Sequence, residues 1–388
     1  MDFALTPDQE IVREAITRIC AGFDDDYWRE KDKSGDFPTE FYDAMAKDGW
    51  LGICIPEEYG GSGLGVSEAT VMMRAIAESG AGMSGASAVH INVFGLNPVL
   101  VFGTEEQKHR MLTPMLQGKE KCCFAVTEPN TGLNTTQLKT RAERKGDRYV
   151  VNGNKVWIST AQEAHKILLL ARTTPLEEVS KPTHGLSLFY TDLDRSRIEI
   201  REIEKMGRHA VDSNALFIDD FEIPVEDRIG EEGRGFEYIL HGMNPERVLI
   251  AAEAIGLGML ALQRATQYAK ERIVFNRPIG QNQGIQHPLA ANWMELESAW
   301  MMVLKAAWEY DKGLPCGAAA NAAKYLAGEA GFNACQQAIM THGGMGYAKE
   351  YHVERYLREV MIPRIAPVSP QLVLSYIAER VLGLPKSY

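Results

Sequence analysis

The chain has 388 residues, of which 45% are hydrophobic and 24% charged, and it carries a formal net charge of −11 at pH 7. That length supports a large core spread over two or three domains, and the acidic balance excludes the basic footprint of a nucleic-acid-binding protein. The six cysteines, Cys20, Cys54, Cys122, Cys123, Cys316 and Cys335, form no Cys-x-x-Cys pair, which favours buried thiols in a reducing compartment over disulfides or zinc, so no metal site is expected. The N-terminus has neither an Arg-rich transit pattern nor an apolar signal with a cleavage site. No apolar run approaches the roughly 18 residues that a membrane span needs. These features predict a cytoplasmic protein, or an organellar one already relieved of its presequence, without a membrane span.

Thr6-Pro7-Asp8-Gln9 predicts a helix start, with Thr6 as cap, Pro7 at the first helical position and Gln9 closing a capping box. Ile11, Val12, Ala15, Ile16 and Ile19 then recur at helical spacing. A second helix is expected from Phe37-Pro38 through Met45. The breaker-rich stretch from Ile55 to Gly63 has no Gly-Lys-Ser/Thr after it, so it reads as a connection and not as a phosphate cradle. Helix returns from about Ser67 to Gln117. His90 lies in that stretch; a lone histidine is more often packed than ligating, and it is assigned no role.

After Cys122 the hydrophobic period changes to two. Strands are expected at Phe124–Val126, Tyr149–Val151, Val156–Ser159, Ile167–Ala171, Leu186–Tyr190, Ile198–Ile203 and Ala215–Ile223, and short strands at this spacing predict a compact all-β domain. Asn152-Gly153 between two β-prone runs predicts a tight hairpin turn. From Phe236 onward the pattern is helical. Asn244 as cap and Pro245 in the first turn predict a helix beginning there. Val248 to Leu262 is apolar on nearly every face, as in the inner helix of a bundle. Two further helices are expected at about Pro288–Tyr310 and Gly317–Thr341, and a last one beyond Pro370. A small β layer between two helical blocks suggests a site where the layers meet.

Six patches resemble, in order, the acyl-CoA dehydrogenase family of flavoproteins. They are the turn Pro56-Glu57 to Gly63; Val126-Thr127-Glu128-Pro129; Asn152-Gly153 with Lys155 and Trp157-Ile158-Ser159; Lys205-Met206-Gly207-Arg208; Arg272-Ile273-Val274-Phe275 with Gln283; and Gly343-Gly344-Met345-Gly346-Tyr347. Each is weak alone, but the ordered set covers nearly the whole chain. The resemblance implies an α+β multidomain fold: an N-terminal all-α domain (1–121), a middle β-barrel domain (122–232) and a C-terminal four-helix bundle (233–388). It implies FAD, held non-covalently, and a homo-oligomer, a tetramer of paired dimers. The implied reaction is α,β-dehydrogenation of an acyl-CoA substrate, with electrons passing to an electron-transferring flavoprotein.

The same resemblance implies the site residues. Phe124, Val126, Thr127, Gly132, Trp157, Ile158 and Ser159 fall at the flavin ring, where Thr127 and Ser159 would hydrogen-bond it and Trp157 would cover it; read alone, Trp157 could equally be a hairpin residue packed into the barrel. Arg272 and Gln283 fall where a neighbouring subunit's FAD diphosphate is reached, and an Arg fork suits phosphate; Phe275 joins the cofactor-binding set. Met340, Gly343, Gly344, Ser369 and Gln371 complete the cofactor set, with Leu133 and Arg247 on the substrate side. Most of the family carries its catalytic Glu in a loop after the bundle, and here Pro367 aligns there, which cannot be a base. A minority, including the isovaleryl-CoA and long-chain enzymes, carries it on the bundle helix before an Arg, which points to Glu246, with Glu253 as the fallback. The Gly132-Leu133-Asn134 departure from the usual Gly-Ser-Asp, together with Pro367, leaves two alternatives: an oxidase-like flavoenzyme using oxygen, or a catalytically silent homologue that binds acyl-CoA or a partner.

Overall fold

The computed structural model describes residues 4–387. Helices come first: α1 (Pro7–Cys20), α2 (Asp25–Ser34), α3 (Thr39–Lys47), α4 (Val66–Ile76), α5 (Gly82–Phe94), α6 (Asn97–Phe102) and α7 (Glu105–Leu116). The expected Thr6–Gln9 capping box is present, as is a second at Thr104–Gln107. Between α4 and α5 a short π-turn, Ala77–Ala81, breaks the helical path at Gly80, whose φ of 108° is open to glycine.

The middle β domain holds β1 (Cys122–Ala125), β2 (Arg141–Lys145), β3 (Arg148–Ser159), β4 (Lys166–Arg172), β5 (Leu186–Asp192), β6 (Ile198–Glu202), β7 (Ser213–Pro224) and β8 (Arg228–Ile229). Strand order is β6-β7-β3-β2-β4-β5-β8, with β1 parallel to β4. Asn152-Gly153 is not a hairpin turn. β3 runs unbroken through it, paired with β2 on one side and β7 on the other, with register shifts after Val151 and Lys155. Gly153 is required there because a Cβ would meet Thr140 Oγ1 at 2.5 Å, so the glycine serves close strand approach. The true two-residue hairpin is Gly146-Asp147, between the paired Lys145 and Arg148, with Gly146 at φ 66°. The charged strand β2 and the short β8 escape a hydrophobicity reading.

The C-terminal block comprises α8 (Gly235–Glu271), the small β9–β10 ribbon (Ile273–Val274 with Arg277–Pro278), α9 (Gln283–Asp311), α10 (Gly317–His342), α11 (Val353–Ile365) and α12 (Pro370–Tyr376). The helix expected to begin at Asn244 in fact begins at Gly235, with Pro245 inside it. Tyr238, Ile239 and Gly242 are buried ahead of the proline, so tertiary packing carries the helix across a residue that ends helices in isolation. Asn244 caps nothing; its Oδ1 accepts from Arg247 Nη1 at 3.0 Å. Likewise α9 starts five residues before Pro288, and α11 spans Pro363.

The expectation of no sufficiently apolar run also fails. By length and composition alone, Val66–Phe102, Gly235–Glu271 and Val353–Val381 each hold a window able to cross a membrane. In Gly235–Glu271 that window is 89% buried inside the protein. Its apolar surface is consumed by the core between the N-terminal helices, α9 and α10, as the all-round hydrophobicity of an inner helix requires.

Candidate active site

The β half of the site is built on β1 and β3. Lys155 is buried on β3, and its Nζ donates to the carbonyls of Val126 (3.0 Å) and Leu170 (2.8 Å) and to Glu128 Oε1 (3.1 Å). Glu128 in turn accepts from the backbone N–H of Lys139 and Thr140, both at 2.8 Å. Burial pushes the Lys155 ammonium down to about 8, against the opposing pull of Glu128. This post ties the interior of β3 to β4, to the residue that follows β1 and, through Glu128, to the loop before β2. The residues that flank its two members are left less buried: Thr127 and Ser159 are half-buried, while Trp157 is 58% exposed. Trp157 and Thr160 sit at φ 62° and 64°, positions that bulky residues occupy only when their surroundings hold them. Trp157 is therefore not a packed hairpin residue; β3 turns its ring out of the barrel. Phe124 packs at the interface with α5, Val126 and Ile158 are buried, and Gly132 and Leu133 are exposed.

The helical half is built on α5 and α8. Glu246 and Glu253 lie seven residues apart on α8, hence on one face two turns apart. They are 6% and 1% exposed. Between them stands His90 of α5, its Nε2 bonded to Glu246 Oε2 and its Nδ1 to Glu253 Oε1. Burial alone would lower the imidazole, but the two carboxylates outweigh it and push His90 up to about 10. Burial raises Glu253, with His90 opposing that rise, Glu246 adding to it and Arg208 opposing it. Arg247 donates through Nη1 to Met243 O (3.1 Å), and its Nε is buried without a partner among the described residues.

Arg208, held at φ 57°, joins the two halves. Its guanidinium donates to Ser159 Oγ (3.0 Å) and Ser213 Oγ (3.1 Å) on the β side and to Ser87 Oγ (3.2 Å) on α5, one turn before His90. The outward face of β3 and the carboxylates of α8 thus border one site. Sequence reasoning gave His90 no role and placed Arg208 in a motif without giving it one. The signal was weak: a lone histidine, three residues from Ser87, whose partners lie more than 150 residues away.

The remaining expected residues fall into two further groups. Gly343, Gly344 and Met340 are exposed at the end of α10. A Cβ on Gly132 or Gly344 would meet nothing within 4 Å among the described residues, so the chain's own packing does not demand these two glycines and leaves backbone accessible to a bound group, whereas Gly343 is called for by its own φ of 60°. Arg272, Phe275 and Gln283 are exposed around the β9–β10 ribbon. Arg272 is 26 residues past Glu246, about 39 Å along the helix axis, and is not brought to the carboxylates. Ser369 caps α12 through Leu372 N (3.3 Å), and Gln371 is exposed beside it. Pro367 lies between α11 and α12, in a segment that Lys324 ties down through the carbonyls of Arg364 (3.1 Å) and Val368 (2.6 Å).

Three family descriptions match in series: "Acyl-CoA dehydrogenase, N-terminal domain" over residues 6–119, "middle domain" over 123–221 and "C-terminal domain" over 233–382. Acyl-CoA dehydrogenase FadE12 of Mycobacterium tuberculosis is 36% identical over all of this chain and 99% of its own length. This chain belongs to the acyl-CoA dehydrogenase family. Among solved structures, butyryl-CoA dehydrogenase from Megasphaera elsdenii superposes with a TM-score of 0.93 at 29% identity, covering 98% of this chain and 100% of that one. A structure described for the electron transferring flavoprotein of Acidaminococcus fermentans gives 0.93 at 31% identity, with the same coverage of both chains. Acyl-CoA dehydrogenases are FAD flavoproteins, the solved neighbours include an FAD complex, and FAD is the cofactor here. The outward Trp157, the half-buried hydroxyls of Thr127 and Ser159 and the open glycine backbones fit that group.

Proposed function

We propose that this acyl-CoA dehydrogenase oxidises an acyl-CoA thioester to the 2-enoyl-CoA with Glu246 as the base. The observation that carries the reading is the continuity from Ser159 through Arg208 and Ser87 to His90 and Glu246. It sets a buried carboxylate against the strand face where Thr127 and Trp157 would hold the flavin. FAD, when bound, supplies the acceptor for the β-hydride.

Glu246 takes the α-proton; its burial excludes water and strengthens its interaction with the charge that develops at the thioester. Arg247, beside it, has a buried donor in Nε without a partner among the described residues, which supports a contact to the substrate. Thr127 and Ser159 orient the isoalloxazine and Trp157 covers its face. Arg272, Phe275 and Gln283 serve the FAD of another subunit, a division that their distance along α8 supports, and the working unit is a tetramer in the cytoplasm. Electrons pass to an electron-transferring flavoprotein, a reading supported by the neighbour described for such a protein.

The test is anaerobic titration of the purified flavoprotein with a panel of acyl-CoAs. Wild type should bleach with at least one of them. Glu246→Gln should bind FAD and bleach about 10²–10⁴-fold more slowly, the usual contribution of a positioned base. Equal rates would transfer the assignment to Glu253.

A further inference from the structure

His90 stands between two buried carboxylates, and the base reading uses only one of them. Both ring nitrogens are engaged, Nε2 by Glu246 Oε2 and Nδ1 by Glu253 Oε1. The ring edge rests on Phe94, with centroids 4.9 Å apart. The helix that carries it is fixed at its start: Glu359 of α11 accepts from Met83 N (2.7 Å), Ser84 N (3.2 Å) and Ser84 Oγ (2.8 Å), and is paired with Arg355 at 3.1 Å. The imidazole is thus held from its own helix, from α8 and from the aromatic side.

We propose that His90 and Glu253 are positioning residues for Glu246, forming a Glu–His–Glu trio that aims the base and sets its proton affinity. This rests on the assignment of Glu246 as base. His90 binds Oε2 and leaves Oε1 as the oxygen that meets the substrate α-carbon. A cation at Oε2 would by itself make Glu246 a weak base, since a nearby positive charge favours the ionised carboxylate. Glu253 restores the balance. With His90 protonated and both carboxylates ionised, the trio carries one net negative charge, and the α-proton arriving on Oε1 brings it to zero. The α C–H bond breaks, its proton bonds to Oε1, and its electron pair forms the new double bond as the β-hydrogen leaves the substrate with its own pair. Arg208 faces Glu253 and Arg247 lies beside Glu246; beyond Arg208 stand Asp212 and Glu359. These flanking cations bound the trio without entering it.

The two positioning residues then have opposite signatures. His90→Gln keeps a hydrogen-bonding side chain but removes the cation between two carboxylates, so Glu246 holds its proton more tightly. The acid limb of the kcat/KM profile should move up by about one pH unit or more. Glu253→Gln keeps its shape and its bond to the imidazole but removes a negative charge, so the limb should move down by a similar amount. Both should lower kcat by about 10-fold or more while KM changes little. The double variant should bring the limb back towards wild type. These profiles are to be measured on the holoenzyme with its best acyl-CoA.

Limbs that stay in place while activity falls would reduce His90 and Glu253 to structural parts and overturn the trio. Movement of both limbs in one direction would overturn it as well. Glu253→Gln, nearly isosteric, carries the test if His90→Gln fails to retain FAD. Glu246→Gln is run in parallel. Full activity there sinks the base assignment itself, whereas a dead Glu246→Gln with unmoved limbs in the other two sinks only the trio.

Discussion

Glu128 and Lys155 lie inside the two motifs that resemble the family most, yet neither faces the site. They form the buried post beneath it, and their neighbours Thr127, Trp157 and Ser159 are the residues it presents. A motif read from sequence mixes the two kinds, and single substitutions should separate them. Lys155→Met strands Glu128 as a buried charge, and breaking one partner of such a pair costs about 3–5 kcal/mol. Its urea midpoint should fall well below wild type. Trp157→Ala removes a ring that is 58% exposed and should leave the unfolding midpoint of the FAD-free protein nearly unchanged, while FAD, followed by its fluorescence on dilution, should dissociate faster. Equal destabilisation by both would show that Trp157 is part of the packing. The motif residues and the α8 carboxylates were legible because each lies in a local pattern. His90 lies in no such pattern and Arg208 was legible only as a motif member, because the roles of both exist only where α5, α8 and β3 meet.

Helix α5 carries Ser87 and His90, and its first turn is satisfied by Glu359 of α11, 275 residues away. A helix N-terminus leaves N–H groups without partners, and this one uses a distant carboxylate instead of a local cap. That is why the sequence from Ser67 to Gln117 reads only as undivided helix. The same tertiary override hid the true start of α8, where buried residues on both sides of Pro245 outweigh a local start signal. It also turned Asn152-Gly153 from a turn into a strand crossing. Glu359→Ala should expose the dependence. It leaves Arg355 buried and unpaired and the first N–H groups of α5 unsatisfied, a loss of about 3–5 kcal/mol, and dehydrogenation should weaken with it as His90 loses its support.

The contact between α5 and α8 also gives stability a pH dependence. In an unfolded chain His90 titrates near about 6.5, and in the folded protein its proton is held up to about 10. The native state binds that proton more tightly, so the contribution is complete below about 6.5 and is lost as pH climbs towards about 10. The upward shift of Glu253 acts with the same sign at lower pH. The melting temperature should therefore decline through the alkaline range, and His90→Gln should flatten that decline. A wild-type curve that is level between those limits would contradict an imidazolium held between the carboxylates.

At the scale of the whole molecule, α8 separates two ends of different character. One end carries the buried trio. The other runs into the β9–β10 ribbon, where Arg272, Phe275 and Gln283 are exposed. Phe275 is 93% exposed at φ 52°, and a bulky residue in that conformation, showing its whole ring to water, marks a surface made for something else. Ile273 and Val274 beside it are exposed too, and a contiguous apolar patch of this kind marks an interface; a neighbouring subunit's FAD diphosphate would place the Arg272 fork where its charge is used. The ribbon should then couple assembly to cofactor retention. Phe275→Asp should shift the proposed tetramer to smaller species in sedimentation velocity and lower FAD occupancy, although the substitution lies beyond the far end of α8 from Glu246. Arg272→Ala should lower FAD occupancy with assembly largely preserved, because it removes the phosphate contact and not the apolar one. Full FAD occupancy in a dissociated Phe275→Asp protein would show that each subunit holds its flavin alone, and would leave Arg272, Phe275 and Gln283 without a part in the cofactor site.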